Sequence, residues 1–336
     1  MSIFDEVSES RWPLIKGIID EVLAEEWMNP FTAEMIRYQI ESGGKRIRPA
    51  LVLGVHRAFG GEDGRALPFA AAVELIHNAS LVHDDIQDQD EMRRGRRAAW
   101  MEYSTNQAIN LGDILFTLAF EVFMRSALSD RTKLEIVKLT MRAVGELVNG
   151  QVRELIYRKT FQVTPEDYFG MVGGKTGSLF RLASKGACVL TENGSDLYAR
   201  DLSRLGSCLG NMFQMRDDII DIFGLKEGRA PGCDIMEGKV SILTSISLAR
   251  LDERERAGLV GMLSVPREKK DAELVRSVTD VYRKTGAFRE AYGLYETEKE
   301  KMFSIPVMKS NERLGAFVKE IVDHISVPLR KLSGEF

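Results

Sequence analysis

Cysteine, proline and histidine are scarce in this chain of 336 residues. It contains three cysteines, nine prolines and four histidines. The cysteines (Cys188, Cys208 and Cys233) show no CxxC spacing, and an odd, sparse set of this kind is typical of a reducing compartment rather than a disulfide framework. The histidines show no zinc-type grouping. Because the cysteines indicate a reducing compartment, we expect a cytoplasmic protein.

A surplus of positive charge is also missing. The 46 Lys and Arg against 50 Asp and Glu give a net charge of −4, which argues against a broad nucleic-acid-binding surface. No run of roughly 18 apolar residues is found, so we expect no transmembrane segment. The N-terminus is acidic and lacks the apolar core of a signal peptide.

What the chain does have is helical periodicity. Apolar residues recur at i, i+3, i+4 and i+7 in the segments 67–83, 106–128, 131–157, 178–192 and 200–222. Strand-type alternation is hard to find, and no composition shift marks a domain boundary. The pattern predicts an all-α fold with about ten or more helices.

We expect a single domain over residues 1–336. Its catalytic core would cover about 43–240, with accessory helices at about 241–336. Clustered turn residues predict loops at 60–64, 191–194 and 224–238. Thr164 followed by Pro165 predicts a helix start, with Thr164 as its N-cap residue.

Two aspartate clusters share the spacing DDxxD. They consist of Asp84, Asp85 and Asp88, and of Asp217, Asp218 and Asp221. Each follows an apolar run, and carboxylates crowded at the end of a buried helix repel one another unless a cation lies between them. Carboxylate oxygens suit Mg²⁺. One such cluster is more often a solvated helix end, but two copies favour a shared metal site.

Basic residues also precede the first cluster along the chain. The glycine-led turn 43–48 carries Lys45, Arg46 and Arg48, which could hold phosphate or simply precede a helix. His77 lies two helical turns before the cluster, although a lone histidine in an apolar helix is more often a core residue.

The other basic residues could also have structural roles that involve no phosphate. Arg93 and Arg94 follow the first cluster and could balance its charge. The segment 174–177, with Lys175, does not match the P-loop pattern, so a nucleotide-binding interpretation is rejected. Arg229 and Lys239 could be solvent-exposed charges.

In order and spacing, these motifs resemble those of the trans-isoprenyl diphosphate synthases, also called polyprenyl synthetases. The resemblance runs from about Gly43 to about Lys239. Its carriers are GGKRIRP at 43–49, AVELIH at 72–77, LVHDDIQD at 81–88, RRG at 93–95, GD at 112–113, GKTG at 174–177 and FQ at 213–214 before the second cluster. It implies a helical bundle around a central active-site cavity, usually in a homodimer.

The resemblance also implies a role for each matching residue. The two clusters would hold three Mg²⁺ per active site, with Asp84, Asp88 and Asp217 as direct ligands and Asp85, Asp218 and Asp221 acting through water or as supports. Isopentenyl diphosphate would be held by Lys45, Arg48, His77 and Arg94. The allylic diphosphate would be held by Arg93, Lys175, Lys239 and Arg229, the last standing where the family usually has Lys. The oxygens of Thr176 and Gln214 would face the developing carbocation, so that Lys175, Thr176, Gln214 and Arg93 form the catalytic set.

The implied reaction is the head-to-tail (1′-4) condensation of isopentenyl diphosphate with dimethylallyl, geranyl or farnesyl diphosphate. Small residues one turn before the first cluster, Ala79 and Ser80, predict a product longer than C15. Ile76, Phe116 and Phe120 are candidate floors of the product tunnel. Geranylgeranyl diphosphate (C20) is favoured over a longer polyprenyl diphosphate.

Two rival functions are considered. A class I terpene cyclase would need an NSE-type second metal motif instead of a second DDxxD. A non-catalytic subunit of a heteromeric synthase would typically have lost carboxylates, and all six remain here.

Overall fold

The computed structural model describes residues 3–191, 196–223 and 231–332, and it is helical in most of them. The α-helices are α1 (Ile3–Glu6), α2 (Trp12–Leu23), α3 (Pro30–Ile40), α4 (Ile47–Ala58), α5 (Asp63–Asp88), α6 (Ala99–Glu102), α7 (Thr105–Met124), α8 (Asp130–Thr160), α9 (Pro165–Val172), α10 (Ser178–Val189), α11 (Asp196–Ile222), α12 (Cys233–Met236), α13 (Ile242–Arg250), α14 (Glu253–Leu263), α15 (Ala272–Lys284), α16 (Ala287–Phe303), α17 (Pro306–Ser310) and α18 (Glu312–Arg330). Short π-helical segments cover Val7–Arg11 and Gly173–Gly177, and a 3₁₀ turn covers Arg267–Lys269. The all-α fold class is confirmed.

Most predicted boundaries agree with the structure. Thr164 caps α9 in a capping box with Asp167, as its sequence context predicts. The first predicted loop is too long, because α5 already begins at Asp63. Residues 192–195 and 224–230 of the other two predicted loops lie outside the described residues, and the third also contains the short helix α12.

One element escaped the sequence analysis, a small β-hairpin after the first aspartate cluster. Strands β1 (Met92–Arg93) and β2 (Arg96–Arg97) pair antiparallel. The two residues between them, Arg94 and Gly95, have φ of 53° and 79°, the left-handed conformations that a tight two-residue hairpin turn requires. Strands of two residues are too short to show alternation, so only the turn could have signalled them.

Backbone contacts divide the chain into two compact units. The first comprises Met1–Val144, Leu179–Gly206 and Ser310–Glu320, and the second comprises Gly145–Ser178, Ser207–Lys309 and Ile321–Phe336. The single domain expected from the sequence stays a prediction.

Helix α5 is the centre of the first unit. It packs against α7, α4 and α2. Its side chains are buried from Phe69 to Ile76, which confirms the buried helix expected before the first aspartate cluster. A helix that is apolar on all sides needs neighbours on all sides, and its carboxyl end then carries the aspartates.

Helix α13, in the second unit, packs against α16, α9 and α15. The segment Gly173–Gly177 lies close to α8. A Cβ on Gly150 would fall 2.1 Å from the backbone nitrogen of Lys175, so glycine at position 150 permits this approach. The approach positions Lys175 and Thr176.

Helix α7 in the first unit has the length and composition of a possible membrane span. Less than half of its most apolar stretch is buried within the protein. Core helices of soluble proteins can have the same length and composition.

Candidate active site

The first aspartate cluster occupies the carboxyl end of α5. Asp85 and Asp88 are buried, Asp84 is half-buried, and Gln89 ends the helix with a φ of 55°. Negative charge is unfavourable at this end of a helix, where the dipole is already negative. The cluster is therefore costly by itself and needs cations nearby.

Arg93 on the hairpin supplies one such cation. Its Nε donates to Oδ1 of Asp85 at 2.8 Å, and its Nη2 donates to the same oxygen. Burial raises the pKa of Asp85 to about 6, although Arg93 opposes this shift. The other oxygen, Oδ2, is buried and accepts no hydrogen bond from the part of the chain that the structure describes. Arg93, expected on the allylic diphosphate, thus contacts the aspartate cluster.

Asp90 belongs with this cluster and was missed from the sequence. It is buried, and one of its carboxylate oxygens lies within 4.8 Å of one of Asp88. Its Oδ2 lies 3.4 Å from Nη2 of Arg93, and its carbonyl accepts a hydrogen bond from the indole of Trp100 at 2.8 Å. The DxD spacing of positions 88 and 90 was the available signal.

Arg94 lies over the glycine-led turn predicted to bind phosphate. Its guanidinium donates to the carbonyl of Gly43, and a Cβ on Gly44 would fall 2.6 Å from its Cζ. Gly44 also has a φ of 123°. Glycine is therefore required at position 44 both by the close approach of Arg94 and by the backbone conformation. The structure thus brings Arg94 and the turn together, with Lys45 exposed beside them.

Arg46 has a different environment from its neighbours in the turn. It is buried, its Nη1 donates to Glu74 at 2.5 Å and its Nη2 donates to the carbonyl of Ile40 at 2.8 Å. Its Cζ lies 3.6 Å from the ring centroid of Trp12. These contacts surround the guanidinium with protein groups, so Arg46 anchors the turn to α5.

His77 is surrounded by positive charge. Burial lowers its pKa well below the usual value, and the guanidinium groups of Arg48, Arg94, Arg46 and Arg93 lower it further. The imidazole is therefore neutral among cations. Such a concentration of arginines attracts an anion with several negative oxygens. Three of the four residues assigned to isopentenyl diphosphate (Arg48, His77 and Arg94) thus interact electrostatically.

The proposed tunnel residues lie on α5 and α7, which pack together. Ala79 and Ile76 are fully buried. Ser80, Phe116 and Phe120 are half-buried. The ring of His83 lies against α7, where a Cβ on Gly112 would fall 2.0 Å from its Nε2. The close approach of the two helices at the first cluster depends on that glycine.

The second cluster ends α11 in the second unit. Asp217 is half-buried and pairs with Arg216. Asp221 is buried, and its Oδ2 accepts a hydrogen bond from the backbone of Asp234 at 3.0 Å.

Asp218 accepts hydrogen bonds from Tyr168, Ile242 and Gln214. The hydroxyl of Tyr168 and the backbone nitrogen of Ile242 donate to Oδ2 at 2.7 and 2.8 Å, and Nε2 of Gln214 donates to Oδ1 at 2.8 Å. Burial and the nearby Asp218 raise the pKa of Tyr168 well above its usual value, so the phenol keeps its proton. Tyr168, 50 positions away along the chain, was missed from the sequence.

Gln214 connects this aspartate to Thr176, whose Oγ1 donates to the amide oxygen of Gln214 at 3.0 Å. The structure therefore brings together the two residues expected to face the carbocation. Lys175 next to Thr176 pairs with Glu154 on α8 at 2.6 Å, a partner that its sequence spacing does not reveal.

The remaining expected cations are Lys239 and Arg229. Lys239 pairs with Glu237. Arg229 lies outside the described residues.

The donors in both clusters fit Mg²⁺. They offer carboxylate oxygens, which this hard cation prefers, and it commonly combines a few carboxylates with water and phosphate oxygens. The buried Oδ2 of Asp85, which no described donor satisfies, is a further sign that a cation completes the first cluster.

Comparisons with known proteins agree with this chemistry. The Polyprenyl synthetase family model matches residues 29–281. A short chain isoprenyl diphosphate synthase from Methanothermobacter thermautotrophicus is 33% identical over 296 residues, which cover 88% of both chains. Geranylgeranyl pyrophosphate synthetase from Pyrococcus horikoshii is 31% identical with a TM-score of 0.82, over 95% of this chain and 98% of that one.

A third similar protein was crystallised with ligands. It is a polyprenyl synthase from Caulobacter crescentus complexed with calcium and isoprenyl diphosphate, 26% identical with a TM-score of 0.82, over 96% of both chains. The chain therefore belongs to the polyprenyl synthetase family and is a prenyltransferase.

Proposed function

We propose that the enzyme condenses isopentenyl diphosphate with an allylic diphosphate and makes geranylgeranyl diphosphate. The observation that carries this proposal is the arginine-rich surroundings of neutral His77, two turns before the aspartates that end α5. A substrate with a diphosphate group fits cations on one side and a metal-binding carboxylate cluster on the other. The relatives that make geranylgeranyl and short-chain products support the choice of product class.

The reaction begins with rupture of the allylic C–O bond, and the diphosphate leaves with the electron pair. When bound, Mg²⁺ would supply Lewis-acid stabilisation of that negative charge. Asp84, Asp88 and Asp217 would be direct ligands. Asp85 and Asp221, which are buried and hydrogen-bonded to other groups, would support them. Three ions per site is the number that the family resemblance implies.

The remaining steps use the cationic and apolar surroundings. The double bond of isopentenyl diphosphate attacks the allylic carbocation, and a new C–C bond forms. A proton is then lost to the released diphosphate, which leaves a chain five carbons longer. Lys45, Arg48, Arg94 and His77 would hold isopentenyl diphosphate, whereas Arg93, Lys175, Lys239 and Arg229 would attract the allylic diphosphate. Buried helices around the site would exclude water, which would otherwise quench the cation.

Diphosphate release distinguishes this function from a terpene cyclase. The enzyme is incubated with Mg²⁺ and geranylgeranyl or farnesyl diphosphate, with and without isopentenyl diphosphate. A synthase releases diphosphate from the farnesyl substrate only when isopentenyl diphosphate is present. Rapid release from geranylgeranyl diphosphate alone would instead indicate a cyclase.

Two further features belong to this proposal. The exposed apolar side chains of Val148, Val152 and Ile156 follow one face of α8 at a spacing of four residues, which supports a homodimer in which a second copy of the chain covers them. The three free cysteines support a reducing, cytoplasmic location.

A further inference from the structure

Tyr168 and Asp218 form a buried pair in the second unit. Tyr168 is 1% exposed and Asp218 is 4% exposed. The phenol hydroxyl donates to Oδ2 of the carboxylate at 2.7 Å, and the backbone nitrogen of Ile242, at the start of α13, donates to the same oxygen at 2.8 Å. Two donors from different elements therefore fix the plane of this carboxylate.

The fixed carboxylate determines how the amide of Gln214 is oriented. An ionised carboxylate only accepts hydrogen bonds, so the group of Gln214 that lies 2.8 Å from Oδ1 of Asp218 must be its NH₂. The opposite orientation would place two acceptors in contact. The carbonyl oxygen of Gln214 is consequently turned towards Thr176, at 3.0 Å from its hydroxyl.

The amide then determines the direction of the hydroxyl of Thr176. Because a carbonyl oxygen only accepts, the hydroxyl hydrogen of Thr176 must point towards Gln214. The lone pairs of Oγ1 therefore point away from Gln214. A chain of hydrogen bonds that starts at a buried negative charge also polarises its members in one direction, so the oxygen of Thr176 becomes more negative.

We propose that Tyr168 and Asp218 are positioning residues for the ionisation step. They set the Gln214 amide and the Thr176 hydroxyl so that electron density faces the developing allylic cation, and Asp218 does this instead of binding Mg²⁺ directly. The inference rests on the proposed function, since it needs an allylic cation next to Thr176. Preorganised dipoles of this kind stabilise a transition state without the cost of reorienting during the reaction.

Tyr168→Phe tests the inference, with Tyr295→Phe as its matched control. Tyr295 is also 1% exposed in the second unit, and its hydroxyl forms a hydrogen bond of 2.6 Å with Ser326. We expect Tyr168→Phe to lower the single-turnover rate about tenfold, with the KM of both substrates changed less than about twofold. Tyr295→Phe should lower the melting temperature to a similar extent but leave the single-turnover rate within about twofold of the wild type.

Metal dependence provides the second measurement. Thermal unfolding is followed at increasing Mg²⁺ concentration in the presence of an allylic thiodiphosphate, an analogue whose C–S bond does not break to give the carbocation. Asp217→Asn should require about tenfold more Mg²⁺ for half of the stabilising shift, because it loses a ligand, whereas Asp218→Asn should require about the same as the wild type.

The outcomes separate this inference from the proposed function. Either of two results, obtained with a wild type that elongates its substrate, would overturn the positioning role. One is an equal single-turnover rate for the two tyrosine variants. The other is a Mg²⁺ requirement that Asp217→Asn and Asp218→Asn raise equally above that of the wild type. A wild type that forms no elongated product would overturn the proposed function itself.

Discussion

At the scale of single residues, buried charges and their partners decide stability. Arg46 and Glu74 have side chains only 5% and 3% exposed, at 2.5 Å from each other. Removal of one member of such a pair leaves the other charge buried and uncompensated, which costs about 3–5 kcal/mol. We therefore expect Arg46→Met to lower the free energy of unfolding by that amount in urea titrations.

The matched control is Lys16→Met. Lys16 pairs with Glu41 at 2.8 Å, but both side chains are exposed by more than a third, so the loss should stay below about 1 kcal/mol. Arg46→Met should also raise the KM for isopentenyl diphosphate more than the KM for the allylic substrate, because it releases the turn that carries Lys45 and Arg48. Equal stability of the two variants would contradict this assignment.

His56 makes stability depend on pH. It is fully buried, and burial lowers its pKa below 6.5, although the carbonyl oxygens of Ala187 and Glu62, each 3.1 Å from a ring nitrogen, oppose this shift. Because the unfolded chain binds the proton more readily, the stability from neutral His56 is complete above about pH 6.5 and is lost as the pH falls below it.

The test compares wild type and His56→Gln in urea titrations between pH 5 and pH 8. The stability difference in favour of the wild type should shrink as the pH falls, with a slope of at most about 1.4 kcal/mol per pH unit. A stability difference that does not depend on pH would show that His56 has the same pKa in the folded and the unfolded chain.

At the scale of elements, we propose that α5 and α7 determine how long the product grows. Ala79 is buried and Ser80 half-buried one turn before Asp84, on the helix that packs against α7. An aromatic ring there would fill the path of the growing chain, so we expect Ala79→Tyr and Ser80→Phe to shorten the main product to C15.

Thr117→Phe is the control for the two ring insertions. Thr117 lies on α7 next to Phe116 but is exposed, so the added ring should leave product length unchanged in chromatography. Full-length product from both Ala79→Tyr and Ser80→Phe would show that the chain does not pass these positions.

Local sequence signals locate helices better than they locate the contacts between helices. Apolar periodicity and the DDxxD spacing predicted both aspartate-tipped helices, because those signals are local. Tyr168 and Asp218 are 50 positions apart, and only tertiary packing brings them together. The β-hairpin of Arg94 and Gly95 was missed for a different reason, since its strands are shorter than any periodicity.

At the scale of the whole molecule, the proposed homodimer is open to a direct test. Val152 on α8 is 48% exposed in an apolar face with Val148 and Ile156, and burial of a glutamate there would be costly. In size-exclusion chromatography with light scattering, Val152→Glu should lower the measured molar mass from that of two chains to that of one chain. Val327→Glu, at a valine 47% exposed on α18, should remain dimeric. A wild type with the mass of one chain would contradict the dimer.

Synthesis of a C20 diphosphate from C5 units can be measured by the length of the radiolabelled product. The enzyme is incubated with Mg²⁺, labelled isopentenyl diphosphate and each of dimethylallyl, geranyl, farnesyl and geranylgeranyl diphosphate. We expect the first three allylic diphosphates to be elongated to C20 and the fourth not to be extended. Extension of geranylgeranyl diphosphate would assign a longer product, and no elongation of any primer would contradict the proposed function.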